Sequence, residues 1–397
     1  MRNNKKLIVR KAVVNNLNDV LKLVRNTDST LSVHESFLNK GIFNIIIIEK
    51  IDNREANILK QEAIAVGADA AVSKDVSRFV KGFSDVVLFA TIYQIQKLVK
   101  KLKLQCFNLK NVALELNDII KPKQKIFKYK KNILDLSLNP VVMGIINIDP
   151  CSFSGDGFTD SDAAFQQAIK FEELGVGIID IGAESSRPGS KFLDATTEIN
   201  RLLPVLKKIR RRIKIPISVD TYKYETAKVV LSEGADIIND IFALKNGKSK
   251  LAKLISATKA GLIIMHMKGI PENMQTNPKY VNCTSEVYKF LSVQKKYAMK
   301  FGIGEEYIAV DPGIGFGKST KHNVELIKNI SVFSTLGPVI GALSRKRFIK
   351  SITNNDDTTS LVISNFLIAL YGADIIRIHD VAETMNAIKI IKALREI

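Results

Sequence analysis

The stretch that decides the fold reads IIDIGAESSRPG, from residue 178 to residue 189. It opens with a short, mostly apolar run, which is typical of a buried strand in a parallel sheet. Polar side chains follow where such a strand would end, among them Glu184, Ser186 and Arg187. Seven more short apolar runs lie between residues 140 and 397, and helical spacing follows most of them. The pattern predicts alternating strands and helices.

Eight strands are predicted in this part of the chain, at 141–146, 178–181, 215–219, 236–239, 261–265, 307–310, 339–343 and 374–378. A segment from 140 to 397 is close to the roughly 250 residues of a (β/α)₈ barrel. A doubly wound open sheet is the main alternative, but it would place phosphate-binding glycines after its first strand. We therefore predict an α/β fold with a TIM barrel over 140–397.

A smaller α/β domain of unknown function is predicted over residues 1–120. Its strands are expected at 44–49 and 85–90, and its helices at 53–66 and 92–104. A strongly basic stretch at 121–139 is interpreted as a linker, or as an exposed hairpin between the two domains.

The overall composition excludes several classes of protein. The net charge is +19, of which residues 1–139 contribute +12, and we expect mostly solvated lysines with no nucleic-acid partner. No apolar run reaches the length of a membrane-spanning helix. Three scattered cysteines and a charged start with no signal-peptide core favour a cytoplasmic protein.

Polar residues end or follow all eight predicted strands, and in a TIM barrel these ends converge on the rim where active sites lie. Any one of them could simply cap a helix, but capping hardly explains all eight. The set comprises Asn147, Glu184, Ser186, Arg187, Asp220, Asn239, Asp240, His266, Asp311, Ser344, Arg345, Lys346, Arg377 and His379.

Two kinds of chemistry share this predicted rim. Carboxylates and an amide, at Asp220, Asn239 and Asp311, suit a planar heterocycle that is recognised along its edge. Cationic side chains suit a phosphate-bearing leaving group, and they are Arg187, Lys346, Arg377 and His379. The rim thus indicates a heterocyclic substrate with an anionic group, without identifying the heterocycle.

A nucleotide-binding loop is suggested, misleadingly, by the sequence GIGFGKS at 313–319. The P-loop motif needs a glycine five positions before Gly317, and that position is Pro312. The stretch is therefore weak evidence for nucleotide binding.

These residues resemble the signatures of dihydropteroate synthases. The first signature is similar to MGIINIDPCSFS at 143–154, and the second to DIGAESSRPG at 180–189. Later family segments match in order, at 218–221, 237–240, 265–267, 311–316, 344–346 and 377–380. The resemblance implies a transferase of folate biosynthesis that joins a dihydropterin diphosphate to p-aminobenzoate and releases pyrophosphate.

Roles for individual residues follow from this resemblance. Asn147 would bind Mg²⁺ on the diphosphate, and Arg377 and His379 would cradle the pyrophosphate. The residues that would hold the pterin are Asp220, Asn239, Asp311 and Lys346. The residues expected to be catalytic are Asp156, Ser186, Arg187 and Lys346. The resemblance also suggests a homodimer formed through barrel helices.

The sequence departs from the family pattern in two loops. In the first loop Asp149, Cys151 and Gly155 stand where Thr, Asp and Asp are usual, so we predict that Asp156 supplies the loop carboxylate. Arg347 stands where many family members have a Ser that helps to hold the p-aminobenzoate carboxylate, and its guanidinium could hold a carboxylate too. By the same resemblance, Ser186 and Arg187 belong to a loop that closes over the p-aminobenzoate site.

A methyltetrahydrofolate–corrinoid methyltransferase barrel is the alternative function. It would share the pterin-binding acids and amide. It has no use for a pyrophosphate cradle, so the segments 344–346 and 377–379 argue against it.

Overall fold

The computed structural model describes residues 9–12, 14, 16–27, 37–121, 123–148, 161–186, 189–190, 192–245, 249–354 and 358–396. The chain divides after residue 122 into two compact units.

The first unit has one three-stranded antiparallel sheet with the strand order β1–β3–β2. Its strands are β1 Phe43–Asp52, β2 Asp69–Ala71 and β3 Phe83–Thr91. Its helices are α1 Leu17–Arg25, α2 Asn53–Ala65, α3 Lys74–Ser77, α4 Ile92–Leu102 and α5 Leu109–Ile120. Helices and strands share one apolar core that includes Leu59, Leu88 and Leu98. The predicted small α/β domain is confirmed.

The second unit opens with a hairpin and continues into the barrel. The hairpin strands are β4 Ile126–Tyr129 and β5 Asn132–Asp135. The barrel strands are β6 Val141–Asn147, β7 Ile178–Gly182, β8 Ile217–Asp220, β9 Ile237–Asp240, β10 Gly261–Met265, β11 Ile308–Asp311, β12 Ile340–Gly341 and β13 Ile375–Ile378. They form one sheet in the order β11–β10–β9–β8–β7–β6–β13–β12, and a parallel bridge between Val310 and Val339 closes it. The predicted TIM barrel is confirmed.

Helices surround these strands and bury an apolar layer against them. They are α6 Ser161–Glu173, α7 Ala195–Arg212, α8 Tyr224–Ser232, α9 Ser249–Thr258, α10 Cys283–Lys300, α11 Thr320–Lys328, α12 Arg347–Thr353, α13 Thr358–Leu370 and α14 Val381–Glu396. Short 3₁₀ helices lie at Glu305–Tyr307 and Ile330–Thr335. Among the described residues, no helix has both the length and the apolar character needed to cross a bilayer.

The interior of the barrel changes from apolar to polar along the strands. One buried cluster, which we call the floor, contains Met143, Ile178, Ile237, Ile263, Ala309, Ile340 and Ile375. Side chains two residues apart on a strand point to the same face. The residues two positions after four floor members are Asp180, Asn239, Asp311 and Arg377. The sequence therefore sets a polar layer directly above an apolar one.

The hairpin closes the barrel below this floor. Phe127 is fully buried and packs within the floor cluster. Lys125 pairs with Asp374 at 2.9 Å and Lys130 with Asp236 at 3.0 Å, and both carboxylates are nearly buried. The segment at 121–139, for which a linker or an exposed hairpin is predicted, contains a hairpin at 126–135. This hairpin belongs to the second unit, and its Phe127 is buried instead of exposed. Its lysines bind acids of the barrel while its alternating apolar residues fill the interior.

We predict that Phe127 stabilises the barrel from beneath. Truncation of a buried phenylalanine costs about 3–5 kcal/mol, because apolar contacts are lost and a cavity remains. Phe127→Ala should lower the urea midpoint of the barrel accordingly, measured by circular dichroism. Ile133→Ala is the control on the same hairpin, since Ile133 is 59% exposed. Equal midpoints for the two variants would contradict the role of Phe127.

Candidate active site

An ion-paired guanidinium occupies the polar layer of the barrel. Arg377 donates from Nε to Asp180 Oδ2 at 2.7 Å and from Nη2 to Asp220 Oδ2 at 2.8 Å. Asp180 is fully buried, and Arg377 and Asp220 are largely buried. Asn239 lies beside Asp220 in the sheet register. Strands β7, β8, β9 and β13 thus bring four polar groups together. Asp220, Asn239 and Arg377 are predicted site residues, and Asp180 is an additional one.

Burial and the neighbouring charges both shift the pKa values of Asp220 and Arg377. Burial raises the pKa of Asp220, the Arg377 charge opposes that rise, and the neighbouring Asp180, Glu198 and Glu184 add to it. Burial would lower the pKa of Arg377, but Asp180 and Asp220 more than compensate and raise it. Arg377 therefore stays charged, while Asp220 accepts a proton more readily than an exposed aspartate does.

Sequence reasoning missed Asp180, because it precedes the strand end instead of following it. Its Oδ1 is buried and has no hydrogen-bond partner in the part of the chain that the structure describes. Buried polar atoms are rarely left unpaired, and exceptions ask for an explanation such as a bound ligand or water. A lone acid inside an apolar strand was the available signal.

Asp311 and Lys346 lie against a glycine-rich turn at 313–317. Asp311 Oδ1 accepts a hydrogen bond from Gly313 N at 2.7 Å, and burial raises its pKa. Lys346 Nζ lies 4.0 Å from the centre of the Phe316 ring. Burial lowers the pKa of Lys346 to about 8, although the Asp311 carboxylate opposes the shift. Lys346 is therefore a cation that can lose its charge in mildly alkaline solution.

Asn147 and His379 meet at the rim. Asn147 Nδ2 lies 3.1 Å from His379 Nε2, and Ser344 Oγ lies 2.9 Å from His379 Nδ1. Because the amide nitrogen faces the histidine, the amide oxygen of Asn147 is turned away from it. The described residues contain no group of three or more His, Cys, Asp or Glu side chains that could hold a metal ion.

Comparison with known proteins decides the family. A family profile described as "Pterin binding enzyme" matches residues 143–379. The dihydropteroate synthase of Haemophilus influenzae is 40% identical over 267 residues, which are 66% of this chain and 95% of that protein.

The chain belongs to the dihydropteroate synthase family.

It is accordingly a transferase of folate biosynthesis, and the methyltransferase alternative is set aside. Solved structures of dihydropteroate synthases support the same family. The Yersinia pestis enzyme, in a sulfonamide complex, matches with a TM-score of 0.65 at 33% identity, covering 68% of this chain and all of that one. The Xanthomonas albilineans enzyme with 4-aminobenzoic acid matches with a TM-score of 0.63 at 33% identity, over 69% and 100%.

The alignment with one relative extends into the first unit of this chain. The "Bifunctional dihydropteroate synthase/dihydropteroate reductase" of Helicobacter pylori is 33% identical over 365 residues, which are 90% of this chain and 92% of that protein. An alignment of that length must include much of the first 122 residues.

Glu184 anchors the loop after β7 through hydrogen bonds and an ion pair. Glu184 accepts hydrogen bonds from Leu193 N at 3.1 Å and Tyr222 Oη at 3.0 Å, and it pairs with Lys223. Lys223 also pairs with the buried Glu198 at 3.1 Å. These bonds hold both ends of the segment that contains Ser186, which is itself half-buried. Glu184 lies where a rim residue is predicted, but nothing in the sequence indicates that it anchors this loop.

The remaining predicted residues are only partly placed. Arg347 is the first residue of α12 and is exposed. Arg187 and the first loop, with Asp149, Cys151, Gly155 and Asp156, lie outside the described residues. Their predicted roles stay predictions.

We predict that synthase activity falls in alkaline solution as Lys346 loses its proton. The ammonium is charged below its pKa of about 8 and neutral above it. The value of kcat/KM for the pterin substrate should therefore decline above pH 8. Lys346→Arg keeps its charge to far higher pH, so the decline should disappear, even if the maximum is lower. An unchanged alkaline limb in Lys346→Arg would show that another group titrates.

Proposed function

We propose that the polar layer of the barrel binds 7,8-dihydropterin-6-ylmethyl diphosphate while its exocyclic carbon is transferred to p-aminobenzoate. The products are 7,8-dihydropteroate and pyrophosphate. The observation that supports this best is the convergence of Asp180, Asp220, Asn239 and Arg377 above a closed apolar floor. Solved relatives hold 4-aminobenzoic acid and 7,8-dihydropteroate.

The pterin ring would be held through its edge. Carboxylates accept from amino and ring N–H groups, and Asp220 and Asp311 would have this role. The amide of Asn239 can both donate and accept, and Lys346 would donate to an acceptor atom of the ring. A buried, preformed set of this kind fixes the ring orientation, since each group matches one atom of the edge.

The reaction would begin with departure of the leaving group. The bond between the exocyclic carbon and the diphosphate oxygen breaks, and its electron pair leaves with the diphosphate. The amine nitrogen of p-aminobenzoate then gives its lone pair to that carbon and loses a proton. The carboxylates of Asp220 and Asp156 would stabilise the pterin cation, while Arg377 and His379 would balance the departing charge.

Magnesium fits this rim as an ion shared with the substrate. The amide oxygen of Asn147 is a hard ligand atom, and the contact of the amide nitrogen with His379 sets the direction of that oxygen. Asp180 and Asp220 are engaged by Arg377, so the described side chains do not form a closed metal cage. Mg²⁺ commonly binds through few protein groups together with substrate phosphates, and it would neutralise diphosphate charge.

The second substrate would enter beside the loop after β7. Ser186 and Arg187 would close over p-aminobenzoate, and the hydrogen bond from Leu193 N to Glu184 would restrain the two ends of this loop. Arg347, at the start of α12, would bind the p-aminobenzoate carboxylate as a fork of donors.

Assembly and compartment are part of the same proposal. Exposed apolar side chains lie on α13, directly after it and on α14, and they are Ile363, Leu367, Leu370, Tyr371 and Ile390. Exposed apolar surfaces mark interfaces, and we propose that a second copy covers these side chains in a homodimer. We also propose a cytoplasmic location.

The test of the function is a direct assay with purified chain, the pterin diphosphate, p-aminobenzoate and MgCl₂. Dihydropteroate and pyrophosphate should form in equal amounts, and excess chelator should abolish both. Formation of neither product by a folded protein with Mg²⁺ would contradict the function. Full activity in chelator would contradict the metal requirement alone.

Reduction of dihydropteroate is a second candidate activity. It is favoured by the Helicobacter pylori relative, whose alignment with this chain includes the first unit. Such a reduction needs a hydride donor, so dihydropteroate would be incubated with reduced pyridine nucleotide and flavin. Tetrahydropteroate should appear with the full chain and not with residues 123–397. Absence of the product from the full chain would contradict this second activity.

A further inference from the structure

The glycine-rich sequence at 313–319 is folded around its own lysine. Lys318 is 3% exposed, and its Nζ lies 2.8 Å from Gly313 O, 3.0 Å from Phe316 O and 3.0 Å from His266 Nδ1. A longer contact of 3.4 Å joins it to His266 O. All these partners are neutral. Burial lowers the pKa of Lys318 to about 7, so the side chain is partly protonated at neutral pH. In both charge states its amino group has N–H groups that can donate to the surrounding carbonyls.

His266 can act as an acceptor because its ring is neutral. Burial, and then the charge of Lys318, lower the pKa of His266 to about 2. Nδ1 therefore offers a lone pair to the Lys318 amino group, and the proton of the ring is on Nε2.

The glycines allow the chain to wrap this closely. Gly313, Gly315 and Gly317 all have positive φ, of +66°, +86° and +64°. A Cβ at Gly313 would lie 1.9 Å from His266 O, and one at Gly317 would lie 2.3 Å from Lys268 O. Side chains at these two positions would clash with backbone atoms. The glycines are therefore required by the conformation of the turn.

The wrapped turn touches two groups of the proposed pterin site. Gly313 N donates to Asp311, as described above, and Phe316 lies over the Lys346 ammonium. Gly315 also approaches Lys346 closely, because a Cβ there would lie 2.9 Å from Lys346 Cδ. Lys318 binds the carbonyls of Gly313 and Phe316, the same residues that contact Asp311 and Lys346.

We propose that Lys318 is a positioning residue of the synthase. Its amino group donates hydrogen bonds to the inward carbonyls of the 313–317 turn and so fixes Asp311 and Lys346 in the geometry that binds the pterin. In a P-loop, backbone amides and the lysine bind a phosphate of the ligand. Here the lysine binds backbone carbonyls of its own turn. This inference rests on the proposed function.

The experiment compares two buried lysines. Lys318→Met removes the amino group from the turn. Lys295→Met is the matched control, because Lys295 is 6% exposed and binds Glu305 and the Leu336 carbonyl away from the turn. Both variants should unfold at lower temperature. Only Lys318→Met should weaken binding of the pterin diphosphate, by about tenfold or more, because a misplaced Asp311 loses a charge-assisted hydrogen bond.

A double-mutant cycle separates positioning from general destabilisation. Residues that act through one contact show non-additive effects, whereas distant ones add. Lys318→Met should therefore reduce kcat/KM less in a Phe316→Leu background than in the wild-type background. The part of its effect that acts through Phe316 on Lys346 is already lost there. The part that acts through Gly313 on Asp311 remains. Lys295→Met should have the same small effect in both.

Two outcomes would overturn the proposal. One is wild-type pterin affinity in a folded Lys318→Met protein, and the other is additivity with Phe316→Leu. If Lys318→Met does not fold, Lys318→Gln replaces it, with the same expectations, since its amide is neutral and shorter. An inactive wild-type protein would instead contradict the proposed function, so the two failures can be distinguished.

Discussion

A guanidinium between two carboxylates inside the barrel is the interaction on which the site depends. Charges removed from water cost several kcal/mol each unless they are paired with good geometry. Arg377 meets this condition only because β7, β8 and β13 hold Asp180 and Asp220 at hydrogen-bond distance. The same arrangement leaves one oxygen of Asp180 buried and unpaired among the described residues, in a layer where a substrate can satisfy it.

The apolar floor makes this polar layer possible. Alternation along each strand places one floor residue two positions before each of four polar groups. The hairpin seals the floor with Phe127, while Lys125 and Lys130 satisfy acids at the barrel's lower end. The closed end excludes water from beneath, so hydrogen bonds in the layer act in surroundings of low dielectric constant, where they are strongest. The two-residue alternation along the strands thus determines both the apolar floor and the polar layer of the site.

The barrel strands and most of the rim were predictable because they follow local rules. Apolar runs marked all eight strands, and polar residues at their ends marked the site. Asp180 was missed because its position within a strand gave no rim signal. The hairpin is expected to be exposed because lysines suggest solvent, and only the tertiary structure shows their acidic partners. The enclosure of Lys318 depends on carbonyl directions, which sequence does not reveal.

Whether the acids of the barrel interior recognise the pterin edge is best measured by calorimetric titration of the pterin diphosphate against wild type and Asp220→Ala. A hydrogen bond to a charged group contributes roughly 1.5–3 kcal/mol, and 1.4 kcal/mol is a factor of ten in affinity. The dissociation constant of a folded Asp220→Ala protein should be at least about tenfold higher than that of the wild type. An unchanged dissociation constant would mean that Asp220 does not bind the pterin.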